Sequence, residues 1–394
     1  MKPSSKSKTF AGLSQIANLA LPAPTPQSDY KYKKSNSFDN KMIFDNYLLD
    51  IALPDLENKK AGFKLCDLYP IGASKHLKPL IYDIKLEIPI NTLKFVGKEI
   101  GSDSTTIHCW LTDYNKTPLL KFIQILDVWR RVCNKSNTDV NRKLNGLFDE
   151  TKFFSSGCGS IPVKLPQKMS KDLAYLIGFL LADGYIKSQT KLLLRGKYPE
   201  SSIVFYDNSK KFLQGLNKIM ISEFGANCNL HYAEDKKGSW YALRSTSKPI
   251  HRFFTEVLKI PSGYKQGHIV VPKIIEDSST EIQKSFISGF CDGEGCVGIS
   301  TKNPYFEVAQ ASYTGKPPQI LEWISDKLNA FGINISKPQI GSNCWRLRTA
   351  SQKVINNYYS IISSRHNDKI PKFEEVKRFS YARHRKEREG DDWA

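Results

Sequence analysis

Read only as apolar and polar positions, the chain holds two stretches in which nearly every residue is apolar or small. The first is Leu173-Ala174-Tyr175-Leu176-Ile177-Gly178-Phe179-Leu180-Leu181-Ala182-Asp183-Gly184-Tyr185. The second is Phe286-Ile287-Ser288-Gly289-Phe290-Cys291-Asp292-Gly293-Glu294-Gly295. Their length and lack of alternation predict a buried helix in each. Small residues recur four apart, Gly178 with Ala182 and Gly289 with Gly293. Residues so spaced share one helix face, and two such faces let helices approach to backbone distance. Each stretch ends on a carboxylate followed by glycine, Asp183-Gly184 and Glu294-Gly295. That glycine predicts a left-handed residue closing the helix.

After each stretch the apolar period falls towards two, as in half-buried strands. Strands are predicted over 191–194 and 202–206, an amphipathic helix over 212–225, strands over 229–232 and 240–245, and a helix over 249–258. The order then recurs: strands over 296–300 and 305–311, a helix over 318–332, a strand pair reaching 345–349, and a helix over 354–362. Leu243-Arg244-Ser245 matches Leu347-Arg348-Thr349, and Phe224-Gly225 matches Phe331-Gly332. The second half of the chain is therefore an internal duplication, and Ser170 offers an N-cap for its first helix.

Upstream, residues 1–75 read as an arm, rich in Ser, Lys and Pro over 1–37 and without clear period over 38–75. Residues 76–133 predict short helices around 77–83, 93–100, 104–111 and 118–128, with a Gly101-Ser102-Asp103 turn between the second and third. Residues 134–160 are polar and contain glycine, and read as a linker.

Charge narrows the function class. Among 394 residues, 58 Lys and Arg face 39 Asp and Glu, a net charge of +19. Such an imbalance points to a polyanionic partner, nucleic acid first. The eight cysteines show no Cys-x-x-Cys spacing, so neither a zinc site nor a disulfide framework is indicated. No apolar run reaches membrane-spanning length and the first ten residues lack a secretory pattern. An intracellular, reduced protein is expected.

The two acid-ended stretches resemble the LAGLIDADG motif of homing endonucleases, and their recurrence resembles the two-repeat, single-chain form of that family. The resemblance covers residue 161 to the end of the chain. It implies an α+β fold of two αββαββα units, 161–278 and 279–380, whose antiparallel sheets form a saddle over DNA, with a basic tail at 381–394. It implies a site-specific double-strand endonuclease, acting as a monomer on a long non-palindromic target. A carboxylate at a helix C-terminus faces the partial negative charge of that end, and a second one beside it adds repulsion. A divalent cation relieves both. Oxygen ligands with substrate phosphate suit Mg²⁺, or Mn²⁺, so Asp183 and Glu294 are the expected metal ligands and catalytic acids.

Family members place a lysine before an Ile-Pro-like segment near each active site. Lys265, before Ile269-Val270-Val271-Pro272, matches that place in the first repeat, and either Arg365 or Lys369, before Ile370-Pro371, in the second. Ser209 and Ser312 fall where polar, water-organising residues are found. Strand alternation makes Lys187, Lys191, Arg195, Arg244, Lys302, Gln310, Arg346 and Arg348 candidate DNA contacts. The helix, glycine turn and Ser/Thr-rich helix at 93–111 resemble a helix-turn-helix, which would point Thr105, Thr106 and His108 at a major groove. The basic run beginning at Lys377-Arg378 and continuing over 383–388 reads either as a backbone contact or as a solvated tail.

Two other readings start from the same motifs. An intein needs a nucleophile first and His-Asn before Cys, Ser or Thr at its end, whereas here Met1 opens the chain and His366-Asn367 precedes Asp368. Splicing is not expected. An RNA maturase acting on intron RNA, or a DNA-binding regulator on the same fold, is the alternative. The presence of both acids argues against a decayed nuclease.

Overall fold

The computed structural model describes residues 69–156, 161–166, 168–193, 196–235, 238–263, 265, 269–300, 303–311, 315–341 and 344–380, and the elements and contacts of the fold are those of these residues. Strand β1 (Tyr69–Pro70) leads into a helical group: α1 (Ser74–Glu87), α2 (Thr92–Ile100), α3 (Ser104–Leu111), α4 (Leu119–Val132) and α5 (Asn137–Glu150). Gly101 closes α2 in the left-handed region (φ 64°). Asp103 then caps α3, accepting from Thr106 N. This is the expected helix, glycine turn, helix. Leu77, Leu80, Ile84, Val96, Ile107, Phe122 and Leu126 form its buried interior.

The linker expected over 134–160 is instead largely helical. Ser136 and Asp139 form a capping box that starts α5, which buries Val140, Leu144, Leu147 and Phe148. Those four apolar positions sit at helical spacing within a polar background, enough for burial of one face. Strand β2 (Phe154–Ser155) returns antiparallel to β1, and Phe154 bridges to Val163. The helical group is thus tied back to the start of the first repeat.

The first repeat runs α6 (Lys171–Asp183), β3 (Gly184–Leu193), β4 (Gly196–Asp207), α7 (Lys210–Phe224), β5 (Asn229–Asp235), β6 (Gly238–Ser245), then α8 (Lys248–Arg252) continued by a π-turn, Phe253–Val257. The single helix expected over 249–258 is therefore broken in character. Short α9 (Lys273–Glu276) leads to the second repeat: α10 (Thr280–Glu294), β7 (Gly295–Ile299), β8 (Pro304–Gln310), α11 (Gln319–Ala330), β9 (Gln339–Ile340), β10 (Trp345–Thr349), α12 (Gln352–Ile361) and α13 (Lys369–Arg378). Each repeat makes one antiparallel four-stranded sheet, ordered β3-β4-β6-β5 and β7-β8-β10-β9. The α+β duplication is as the sequence predicts. Ser170 caps α6 as expected, accepting from Leu173 N.

Each sheet buries one face against helices. Phe205, Phe179 and Phe212 meet in the first repeat, and Phe306, Tyr358 and Phe373 in the second. Among the described residues no helix is long and apolar enough to cross a membrane.

Candidate active site

Helices α6 and α10 pack along the small residues that the sequence singles out. A Cβ on Gly178 would lie 2.1 Å from the Phe286 carbonyl oxygen, and one on Gly289 would lie 2.0 Å from that of Tyr175. A Cβ on Gly293 would meet the Ala182 methyl at 2.3 Å, with Asp183 Oδ2 at 3.3 Å. The backbones therefore touch where side chains would normally hold them apart, and the acid-bearing ends come together.

The glycines after the acids work differently from the expectation. Gly184 (φ −92°) and Gly295 (φ −85°) are extended, not left-handed. Glycine is required by space: a Cβ would sit 2.6 Å from the Leu180 carbonyl oxygen in one case and 2.3 Å from that of Cys291 in the other. The chain passes from helix to strand with no intervening loop residue, which holds each acid at the junction.

Two lysines close the helix ends. Lys265 Nζ donates to the carbonyls of Leu180 (2.6 Å), Leu181 (3.0 Å) and Ala182 (3.4 Å). Lys369 Nζ donates to those of Cys291 (3.1 Å), Asp292 and Gly293 (3.3 Å). In each repeat these are the three residues immediately before the acid. The two lysines are thus structural equivalents, each placing positive charge where the helix end is negative. Arg365 goes elsewhere. Its guanidinium pairs with Asp172 (2.6 Å) and lies over the Tyr175 ring (4.5 Å). Asp172 is in the first turn of α6, roughly 16 Å along the helix from Asp183 at 1.5 Å per residue. Lys369, and not Arg365, is therefore the counterpart of Lys265 in the carbonyls it reaches.

Burial pushes the Glu294 carboxyl up to about 7, with Asp183 adding to the shift and Lys265 opposing it. Asp183 keeps its side chain open to solvent, yet the surrounding protein strips part of its hydration and raises its pKa, against the pull of Lys369. Burial lowers Lys265 to about 8, opposed first by Glu294 and then by Asp183. Lys369 is lowered for the same reason, opposed by Asp292 and Asp183. Two acids that resist ionising and two lysines that resist protonation share one small region.

Register identifies a further equivalent pair. Gly184 stands opposite Phe205 and Gly295 opposite Val308, so Asp207 and Gln310 occupy the same place two residues on. Gln310 Nε2 donates to Glu294 Oε1. It lies on the buried side of β8, 6% exposed, and not on the open face where alternation was expected to put it. A cavity of about 280 Å³ opens beside it, lined by Tyr185, Lys265, Glu294 and Gln310 among others. Asp207, its counterpart, accepts from Ser209 N (2.5 Å) and meets His366 Nε2 (3.0 Å). Ser209 itself precedes α7 with no side-chain cap bond.

Of the other sequence candidates, Lys187, Arg244, Arg346 and Arg348 fall on the open sheet faces. Lys187 and Arg244 share one, because Tyr185 opposes Val204 and Val204 opposes Arg244. Arg346 and Arg348 share the other, and both reach Glu307 between them, at 3.0 and 3.7 Å. Lys191 is on β3, but its side chain, like Arg195, Lys302 and Ser312, lies outside the described residues, as do 383–388. On α3, Thr105 and His108 are exposed, while the Thr106 hydroxyl is taken by Asp103.

Sequence reasoning missed Asp207, Asp292 and His366. Asp292 is 3% exposed and accepts from Tyr175 Oη (2.6 Å), Ser364 Oγ and Arg365 N (2.8 Å). A carboxylate in an apolar run was the available signal for Asp292. Asp207 was hidden because the first hairpin is longer than the second, which shifts the two repeats out of linear step.

The sequence profile of the LAGLIDADG-like domain matches residues 170–258. The chain is 25% identical over 209 residues to the homing endonuclease I-ApeI of Aeropyrum pernix, spanning 52% of this chain and 86% of that one. It also matches a glutamine–fructose-6-phosphate aminotransferase of Methanocaldococcus jannaschii (23% over 222 residues), covering 55% of this chain but only 18% of that one. Similar solved structures include I-DmoI in complex with DNA and Ca (20% identity, TM-score 0.37, 50% of this chain and 92% of that one). Another is I-WcaI bound to its DNA recognition sequence (16% identity, TM-score 0.36, 52% and 87%). Residues 170–258 thus match the LAGLIDADG-like domain, and about half of the chain is similar to a homing endonuclease.

Proposed function

We propose that the chain is a site-specific endonuclease of double-stranded DNA, cutting one strand at each of two half-sites and working as a monomer, since one chain supplies both. The observation that carries this reading is the pair of acids, Asp183 and Glu294, at adjoining helix ends whose last carbonyls are each held by a lysine. The relative that the match spans almost fully bears the name homing endonuclease. The aminotransferase name is not carried over, because the match spans too little of that chain.

The donor set fits a divalent cation. Both acids offer oxygen and resist carrying charge unaided. Among the described residues no group of three or more His, Cys, Asp or Glu could close a cation off by itself, leaving room for substrate phosphate and water, as Mg²⁺ or Mn²⁺ prefers. Asp183 and Glu294 would hold such a cation, whose chemistry when bound would be charge stabilisation at the scissile phosphate and activation of water. Lys265 and Lys369, anchored on helix carbonyls, add fixed positive charge facing the acids without reorganising. Gln310 orients the Glu294 carboxylate.

Lys187, Arg244, Arg346 and Arg348 hold the duplex from the open sheet faces, with Lys191, Arg195 and Lys302 as further contacts. Thr105 and His108 on α3 extend recognition beyond the sheets; Thr106 serves the cap. Footprinting tests this last part, since Thr105→Ala/His108→Ala should shorten the protected segment, and an unchanged footprint refutes it.

The test of function is a cleavage selection on a randomised plasmid library with Mg²⁺, followed by binding and cleavage of the recovered target. Asp183→Asn with Glu294→Gln should bind the target and leave it uncut. Cleavage by that double variant would show that other residues do the chemistry.

A further inference from the structure

The loop joining α12 to α13 reaches across to the first repeat at three places. Arg365 pairs with Asp172 and covers Tyr175, and His366 meets Asp207. It begins at Ser363, a non-glycine residue held at φ 64°, and is pinned from below by Asp292, which receives Ser364 Oγ and Arg365 N.

His366 is the unusual member. It is 6% exposed and stacks on Phe212 with ring centroids 4.3 Å apart. Its Nδ1 accepts from Asp368 N (3.2 Å), which leaves Nε2 as the donor to Asp207 Oδ2 (3.0 Å). Ring position, tautomer and partner are therefore all fixed. Asp207 in turn stands where Gln310 stands in the other repeat. Gln310 can donate to its neighbouring acid, whereas Asp207, a second carboxylate near Asp183, cannot, and it turns to the imidazole instead.

We infer that His366 is a positioning residue for the Asp183 half-site. It reaches from the second repeat to hold Asp207 in the place and orientation that the amide of Gln310 finds unaided in the Glu294 half-site. The inference rests on the two-half-site nuclease reading and adds to it a built-in inequality: Gln310 meets its acid directly, whereas Asp207 is held by a residue of the other repeat. His366 touches no reacting atom; it acts through Asp207.

The experiment follows each strand separately, using a duplex recovered by the cleavage selection and labelled at both 5′ ends. Wild-type cutting of both strands sustains the nuclease reading; if the wild type cuts no duplex with Mg²⁺, that reading and this inference fall together. His366→Phe keeps the ring stack on Phe212 but loses the donor. It should slow the single-turnover cut of one strand by about 10- to 100-fold, the scale expected when a supporting contact lets a catalytic group shift by up to 1 Å. The other strand should stay within about threefold and singly nicked duplex should accumulate. His366→Gln, whose amide can donate to Asp207, should recover most of the lost rate. A general loss of structure would slow both strands, weaken DNA binding and lower the melting temperature together. If both strands slow alike with the fold intact, or neither slows, or Gln recovers nothing over Phe, His366 does not position this half-site.

Discussion

The sharpest quantitative consequence of the fold concerns Gly289 rather than the acids. An added methyl there would sit 2.0 Å from the Tyr175 carbonyl oxygen and 2.8 Å from its carbon, whereas real Cβ contacts under 3.0 Å essentially do not occur. Both obstacles are helix backbone, which cannot rotate away. Gly289→Ala therefore forces α6 and α10 apart by about 1 Å, and a gap of that size forfeits a quarter to a half of the dispersion attraction across it. Overpacking of a tight core costs about 1–3 kcal/mol, occasionally more, and the seam here brings α6 at Tyr175, Gly178 and Ala182 against α10 at Phe286, Gly289 and Gly293. We expect a loss near the top of that range, about 3 kcal/mol. Gly215→Ala gives the opposite sign. That residue lies in α7 with nothing within 4 Å of its added Cβ, so alanine should stabilise by about 0.5–1 kcal/mol through helix propensity. Urea unfolding of the two variants and the wild type reads the difference, with m-values checked for equality. A Gly289→Ala midpoint at or above that of the wild type would refute the seam argument. So would a Gly215→Ala loss as large as that of Gly289→Ala. Variants that remain folded should also lose cleavage by about 100-fold, because the acid ends separate with the helices.

Two further expectations separate alternatives by measurement. Lys369→Met should cut the rate on at least one strand by about 100-fold, whereas Arg365→Met should leave cleavage within about threefold and lower stability by about 1 kcal/mol, as for a part-exposed ion pair; comparable kinetic losses in both variants would mean the carbonyl cage is not what matters. In metal-free protein, Glu294 titrates near 7 when folded against 4.5 as its ordinary value, so the folded chain retains a proton that the unfolded chain releases. Its contribution to stability must fall as pH rises from about 4.5 to about 7, by roughly 3 kcal/mol at most, and Mg²⁺ should flatten the fall. The difference between wild type and Glu294→Gln in EDTA isolates this group, and a difference that is flat or rises with pH would contradict it.

Sequence patterning alone defined much of this protein. Runs of apolar residues with glycine at intervals of four named both central helices and the face by which they pack, because helix geometry turns spacing directly into adjacency. Recurrence of the same element order fixed the duplication, and the carboxylates at matching offsets marked the two helix ends that the fold brings together. The helix, Gly101 turn and Asp103 cap were likewise local, set by residues a few positions apart. Where patterning was polar it misled: 134–160 conceals α5, whose four buried apolar residues matter only once α4 is there to cover them.

Only the tertiary structure decided what depends on distance between strangers in sequence. That Lys369 and not Arg365 reaches the last carbonyls of α10 could not be read from the sequence, where both precede the same Ile-Pro. Gln310 meets Glu294 because the register of β8 puts it on the buried face with Phe306 and Val308, and register is set by the partner strands. Asp207 and His366 are 159 positions apart and meet only because two repeats lie against each other. Glycine after each acid was foreseen for its torsional freedom and is needed for its lack of a side chain. Local pattern gave the two acidic helices; packing of one repeat on the other decided what surrounds each acid, because burial, charge and hydrogen-bond partners are properties of the space around a residue and not of its neighbours in the chain.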